Sequence, residues 1–242
     1  MRGPLTLATE SWQYTRKHLG LFVAIYIFPL IAGVILGSVT AFVFPENGEQ
    51  VFTTALSLPT ALALFLVTLA LTVLVSIAGS LALMKAVITP GGTTTRSAYR
   101  YGFAHFFAFL WLSALVGLAT VLGFALLIIP GIIVSVWFAF TQIVFVQEGL
   151  RGMEALRASR MYVKGRWWKV FGRLVAFTAA LLLVYVALGI GATFAMPNQQ
   201  FLQDALFNLA NLILMPWSIV YLYFLYKDAR GAANAGSSSP IA

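Results

Sequence analysis

Residues 101–147 read YGFAHFFAFLWLSALVGLATVLGFALLIIPGIIVSVWFAFTQIVFVQ, with no Lys, Arg, Asp or Glu. As one helix these 47 residues would extend about 70 Å at 1.5 Å per residue. A bilayer hydrocarbon core is about 30 Å thick. The stretch therefore predicts two spans and a turn. The turn is expected at Ile129-Pro130-Gly131, because proline removes a backbone donor and glycine permits a tight bend.

The surrounding sequence agrees with this count. The chain of 242 residues is 61% hydrophobic and 9% charged, against roughly 25% charged in soluble domains. Apolar runs predict an all-α membrane protein with six transmembrane helices near 19–44, 58–87, 103–129, 131–147, 170–196 and 205–226. Residues 1–230 form a single membrane domain, and 231–242 (GAANAGSSSPIA) a disordered tail. The first apolar run is too long for a cleavable signal. There are no cysteines, which excludes disulfides and thiolate chemistry.

Parity of charge tests the turn. The fifteen Lys and Arg residues fall at Arg2, Arg16 and Lys17, at Lys85, Arg96 and Arg100, between Arg151 and Arg173, and at Lys227 and Arg230. Two spans in 101–147 put every one on the same side; one span would split them. Lys/Arg bias sets orientation, so the multi-pass chain is expected in the cytoplasmic membrane with both termini cytoplasmic. The far side then carries only the loop acids Glu46, Glu49 and Asp204.

Each outward span follows a short amphipathic stretch mixing basic residues with Tyr or Trp: 5–18, 93–102 and 152–169. That composition suits a helix lying at the headgroup level. Interfacial helices are thus expected before spans 1, 3 and 5, each unit continuing through an outer turn with a proline (Pro45, Pro130, Pro197) to a return span. This is a parallel threefold repeat of helix plus hairpin. Its best internal match sets Ser11-x-x-Tyr14-x-Arg16 against Ser159-x-x-Tyr162-x-Lys164. The alternative is that basic, aromatic flanks are common to membrane proteins.

The densest signature is IPGIIVSVWFAFTQIVFVQEGLRGMEALRASRMYVKGRWWKVFGR, residues 129–173. With Pro130-Gly131-Ile132, Glu148, Glu154-Ala155-Leu156, Ser159 and Lys164-Gly165-Arg166-Trp167-Trp168, it resembles the membrane domain of bacterial glycerophosphoryl diester phosphodiesterases and related multi-pass inner-membrane proteins. The resemblance implies a six-helix membrane module and little chemistry. In the fused relatives phosphodiesterase activity belongs to a separate soluble domain, so the resemblance carries no enzyme activity over.

The residues divide into two candidate sites. In 154–164, Ala155, Ala158, Ser159 and Tyr162 share one helical face suited to close packing, and Arg157, Arg160 and Lys164 another. With Arg151, Arg166 and Lys169 the latter form a candidate site for anionic lipid headgroups or a cytoplasmic protein partner. The bland alternative is an anchor for span five, with Gly165 permitting the bend. Gln142, Asn208 and Asn211 are candidates for a polar cavity; inter-helix hydrogen bonding is the alternative. Glu148 is expected to pair with Arg151, Lys85 or Arg173. Gly33-x-x-x-Gly37 reads as a packing face, and Trp217, Tyr221, Tyr223 and Tyr226 as an inner aromatic belt. His18 and His105 form no metal motif.

Three function classes follow. A non-enzymatic membrane module whose basic cytoplasmic face binds anionic lipid or a partner is favoured. A permease for a small or lipidic solute is the runner-up, and an intramembrane enzyme ranks last for want of a catalytic constellation. No cofactor, metal or nucleic-acid partner is expected.

Overall fold

A computed structural model describes residues 2–43 and 57–237. Among them every regular element is helical: α1 (Pro4–Lys17), α2 (Leu19–Val43), α3 (Leu58–Ile88), α4 (Thr95–Ala104), α5 (Phe106–Leu126), α6 (Ile128–Trp137), α7 (Thr141–Glu148), α8 (Gly152–Val163), α9 (Trp167–Ala195) and α10 (Gln200–Ser237), with a single 3₁₀ turn at Pro90–Gly92. Six segments are long and apolar enough to cross a membrane: α2, α3, α5, α6 with α7, α9 and α10. The turn expected at Pro45 and the acids Glu46 and Glu49 lie outside the described residues.

Three boundaries differ from the sequence reading. The hairpin of 101–147 turns at Leu127, whose backbone is extended, not at Pro130-Gly131. Pro130 sits in the first turn of α6, where a missing amide costs nothing because those donors are unpaired anyway. Gly131 serves packing: a Cβ there would lie 2.4 Å from the Phe124 ring. Asp204 lies within α10 and not on a loop, and α10 continues through the expected tail to Ser237. Residues 238–242 lie outside the description.

Span four is broken, which the apolar run concealed. Phe138, Ala139 and Phe140 interrupt it between α6 and α7. Ser159, fully buried on α8, enters the gap. Its Oγ accepts from the Phe140 amide at 3.2 Å and donates to the Trp137 carbonyl at 2.7 Å. The small residue read as a packing position is thus a polar plug for two backbone groups. Ser159→Ala should lower stability by about 1–3 kcal/mol, read as an earlier unfolding midpoint in detergent. An unchanged midpoint would mean something else holds the break.

A proline in span one is handled the same way. Pro29 lies inside α2 and cannot donate to the Ile25 carbonyl four residues back. Tyr99 of α4 donates to that carbonyl at 2.7 Å. The ring is accommodated by Gly79 of α3, where a Cβ would sit 2.3 Å from Pro29 Cγ.

The core gathers at the end of the bundle that carries the basic residues. Buried there are Leu81–Val87 of α3 (Lys85 half-exposed), Ile143–Val146 of α7 and much of 220–229 in α10. The short helices close over these ends: α4 packs on α3, α8 on α7, and α1 on α10. Their inward faces are buried at Leu7, Ser11 and Thr15, at Ala98 and Gly102, and at Ala155, Ser159 and Val163. Spans gain little from mutual burial in lipid, whose tails are as apolar as leucine. Amphipathic helices bury one stripe and leave the polar face out.

The three junctions between a short helix and the span that follows it are alike. His18, His105 and Arg166 each stand directly before a span, with φ/ψ of −115°/16°, −109°/11° and −132°/16°. Four residues earlier stand Tyr14, Tyr101 and Tyr162; seven earlier stand Ser11, Ala98 and Ser159, all buried. Four later stand Phe22, Phe109 and Val170, also buried. His18 and His105 each place Nδ1 against the carbonyl of that tyrosine, at 3.1 and 3.0 Å. In the third unit Gly165, at φ 77°, supplies the bend.

Candidate functional site

The ring of helix ends is locked by three clusters, two built on ion pairs and one on aromatic side chains. In the first, the Arg2 guanidinium forks onto Asp228 of α10, with Nε donating at 3.0 Å and Nη2 at 2.7 Å, and its backbone amide donates at 2.9 Å. Its Nη1 pairs with Glu10. Arg173 of α9 donates to the Arg2 carbonyl at 2.9 Å. This cluster ties the first helix to the last two.

In the second, Glu148 ends α7 with its side chain 14% exposed. Its partners among the described residues come from α8 and α10, and not from the Arg151 or Lys85 expected from the sequence. Tyr162 donates to its two oxygens at 2.8 and 3.0 Å, Tyr226 donates to Oε1, and Arg230 Nε lies 3.5 Å away. Arg151, Lys85 and Arg173 are engaged elsewhere or exposed: Lys85 sits 5.2 Å from the Tyr101 ring centroid.

The third is aromatic. Tyr221, Tyr223 and Tyr226 are buried, so the expected belt is core instead. Each hydroxyl or indole needs a partner when buried: Tyr221 donates to the Arg173 carbonyl at 3.0 Å, and Trp217 Nε1 donates to Ser11 Oγ at 3.0 Å. On the short helices, Tyr14 donates to the Val87 carbonyl at 2.7 Å. Burial pushes the Tyr14 and Tyr99 phenols up to about 12, which keeps both as donors.

Helix α8 divides as its spacing predicts. Ala155, Ala158, Ser159 and Tyr162 are buried, while Arg157, Arg160 and Lys164 are exposed. Glu154 occupies its first turn, where negative charge complements the helix N-terminus. Arg151 and Lys169 are also exposed. Arg166 is set apart: half-buried, it donates to the Ala232 carbonyl of α10, so it holds the fold. Arg160 lies over Trp137, its Cζ 4.3 Å from the ring centroid.

Beside Arg160 runs an apolar groove of about 540 Å³ between α6 and α9. Its walls are Ile129, Ile132, Ile133 and Trp137 on one side and Trp167, Trp168 and Phe171 on the other. Trp168 is 76% exposed. The Trp167 indole N–H is buried with no acceptor among the described residues, a state that costs about 1–3 kcal/mol.

No known family, curated protein or solved structure matches this chain.

The polar trio is not gathered. Asn211 accepts from Tyr185 at 2.7 Å and donates to the Phe207 carbonyl at 3.0 Å, an inter-helix bond. Asn208 lines a cavity of about 830 Å³ between α2 and α10 with Asp204, Gly33 and Gly37, which includes neither Asn211 nor Gln142. Added Cβ atoms at Gly33 and Gly37 would meet nothing within 4 Å, so these glycines border open space and are not a packing face. Gln142 sits half-buried in α7. Among the described residues, no group of three or more His, Asp or Glu is placed to hold a metal ion.

Proposed function

We propose that this chain is a non-enzymatic multi-pass module of the cytoplasmic membrane, both termini inside, whose basic face binds anionic lipid headgroups. The observation that carries the reading is the outer face of α8. Arg157, Arg160 and Lys164 are exposed there and form no ion pair among the described residues. Lys/Arg bias supports the sidedness, since the contacts among α1, α3, α4, α8 and α10 draw all the basic clusters to one end of the bundle.

In this reading α1, α4 and α8 lie at the headgroup level as three copies of one unit. The support is the shared register of buried residues and the near-identical backbone at His18, His105 and Arg166. Each short helix covers the return span of the preceding unit, and α1 on α10 closes the cycle. The resemblance to the phosphodiesterase membrane domain is retained as part of this proposal, without its enzyme.

A juxtamembrane basic residue is worth about 1 kcal/mol toward an anionic surface. The variant Arg157→Gln/Arg160→Gln/Lys164→Gln should then lose roughly a hundredfold in phosphatidylglycerol affinity. Arg166 stays, because it holds Ala232. Intact-mass measurement of lipid retained by the purified protein reads the outcome. Wild-type retention in the triple variant would sink the headgroup reading.

A further inference from the structure

We infer that the groove between α6 and α9 is a site for one anionic glycerophospholipid, an acyl chain lying along α6 and the phosphate held by Arg160 and Arg157. This rests on the headgroup reading above and adds a place and a stoichiometry to it.

The groove has the two halves such a molecule needs. Along α6 it runs from Trp137 back to Ile129, about 12 Å at 1.5 Å per residue, between isoleucines and aromatic rings. At one end stands Trp137, and the Arg160 guanidinium lies over its ring, with Cζ 4.3 Å from the centroid. The N–H donors of arginine form a planar fork that fits phosphate oxygens. Arg157 stands one helical turn away on the same exposed face of α8. Glu154 is the only acid between Arg151 and Arg173, so the mouth is left strongly positive.

The junction between the halves also fits. Trp167 and Trp168 begin α9 and wall the groove opposite Trp137. A free phosphate would use the arginines and leave the groove idle. A neutral lipid would use the groove and leave the arginines idle.

The test uses the full chain in detergent and reads bound lipid by intact mass, with phosphatidylglycerol and phosphatidylcholine offered in turn. Wild type should hold a single phosphatidylglycerol and prefer it over phosphatidylcholine by roughly tenfold or more. Ile133→Trp fills the groove with every basic residue in place, and should lose that bound lipid. Arg157→Gln/Arg160→Gln should lose the preference while still taking phosphatidylcholine.

Undiminished phosphatidylglycerol on Ile133→Trp would overturn the groove and leave the headgroup reading standing. An undiminished preference in the arginine variant would overturn the site, while the headgroup reading is decided by the triple variant that also removes Lys164. If the groove instead seats a second copy of the chain, Ile133→Trp will split a dimer without changing lipid retention, which also overturns the proposal. A second measurement needs no substitution. In phosphatidylcholine nanodiscs, phosphatidylglycerol with brominated chains should quench tryptophan emission saturably, and brominated phosphatidylcholine only in proportion to its mole fraction. Identical, unsaturable quenching by both would count against the site.

Discussion

Replacing Gly102 by valine should unfold the basic end of the bundle. The residue is buried where α4 crosses α3, and a Cβ would stand 2.3 Å from the Ala78 carbonyl oxygen. That neighbour is backbone in the middle of a transmembrane helix, so it cannot rotate away. Overpacking typically costs about 1–3 kcal/mol and occasionally more. A clash with main chain belongs at the upper end, because relief requires lifting α4 off α3. That movement would also pull Tyr99 from the Ile25 carbonyl that Pro29 leaves without a donor. The expected result is a loss of about 3 kcal/mol or more, read as a lowered unfolding midpoint and reduced recovery of folded protein. Gly117→Ala is the control: it lies in α5 with nothing within 4 Å, and should unfold like wild type or later. Equal midpoints for Gly102→Val and wild type would show that the α3–α4 crossing is not close.

Removing the carboxylate of Glu148 should have the second largest effect. Glu148→Leu leaves the Tyr162 and Tyr226 hydroxyls without their acceptor in a site where Tyr226 is 1% exposed. An unmet buried donor costs about 1–3 kcal/mol. Arg230, at 41% side-chain exposure, can turn to water, so its lost ion pair adds little. The expected total is about 2–4 kcal/mol. Glu148→Gln keeps an acceptor oxygen for the hydroxyls and should recover much of the loss. The comparison separates the two contributions: equal damage from Leu and Gln would place the stabilisation in the charge on Arg230 instead. Both variants are read by the same midpoint in detergent.

Both positions show where sequence reading stopped. Glu148 was recognisable as a polar group needing a partner at a span end, but Arg230 and Tyr226 lie on a different helix, brought there only when α10 packs against α8. Ser159 was recognisable as a small residue on the buried face of α8. Nothing in residues 138–140, all apolar, signals that their helix opens there. The hairpin position failed for a related reason. Proline and glycine mark turns on average, yet Pro130 is also at home in a first helical turn, and Gly131 is there because the Phe124 ring occupies the space a Cβ would fill.

The number of helices long and apolar enough to cross a membrane was already in the amino-acid order, because it follows from a one-dimensional rule. A slab of about 30 Å demands about 20 apolar residues per crossing. The paired faces of α8 were legible too, since a helical period fixes which residues share a side. What had to wait for the packed chain was every interaction between segments far apart in number. Arg2 on Asp228, Tyr99 on Ile25, Ser159 in the gap of span four and Arg160 above the tryptophan groove all depend on helix ends meeting. In lipid, burial drives that meeting weakly. The match of individual polar groups and small gaps sets it, and no local period of the sequence records such a match.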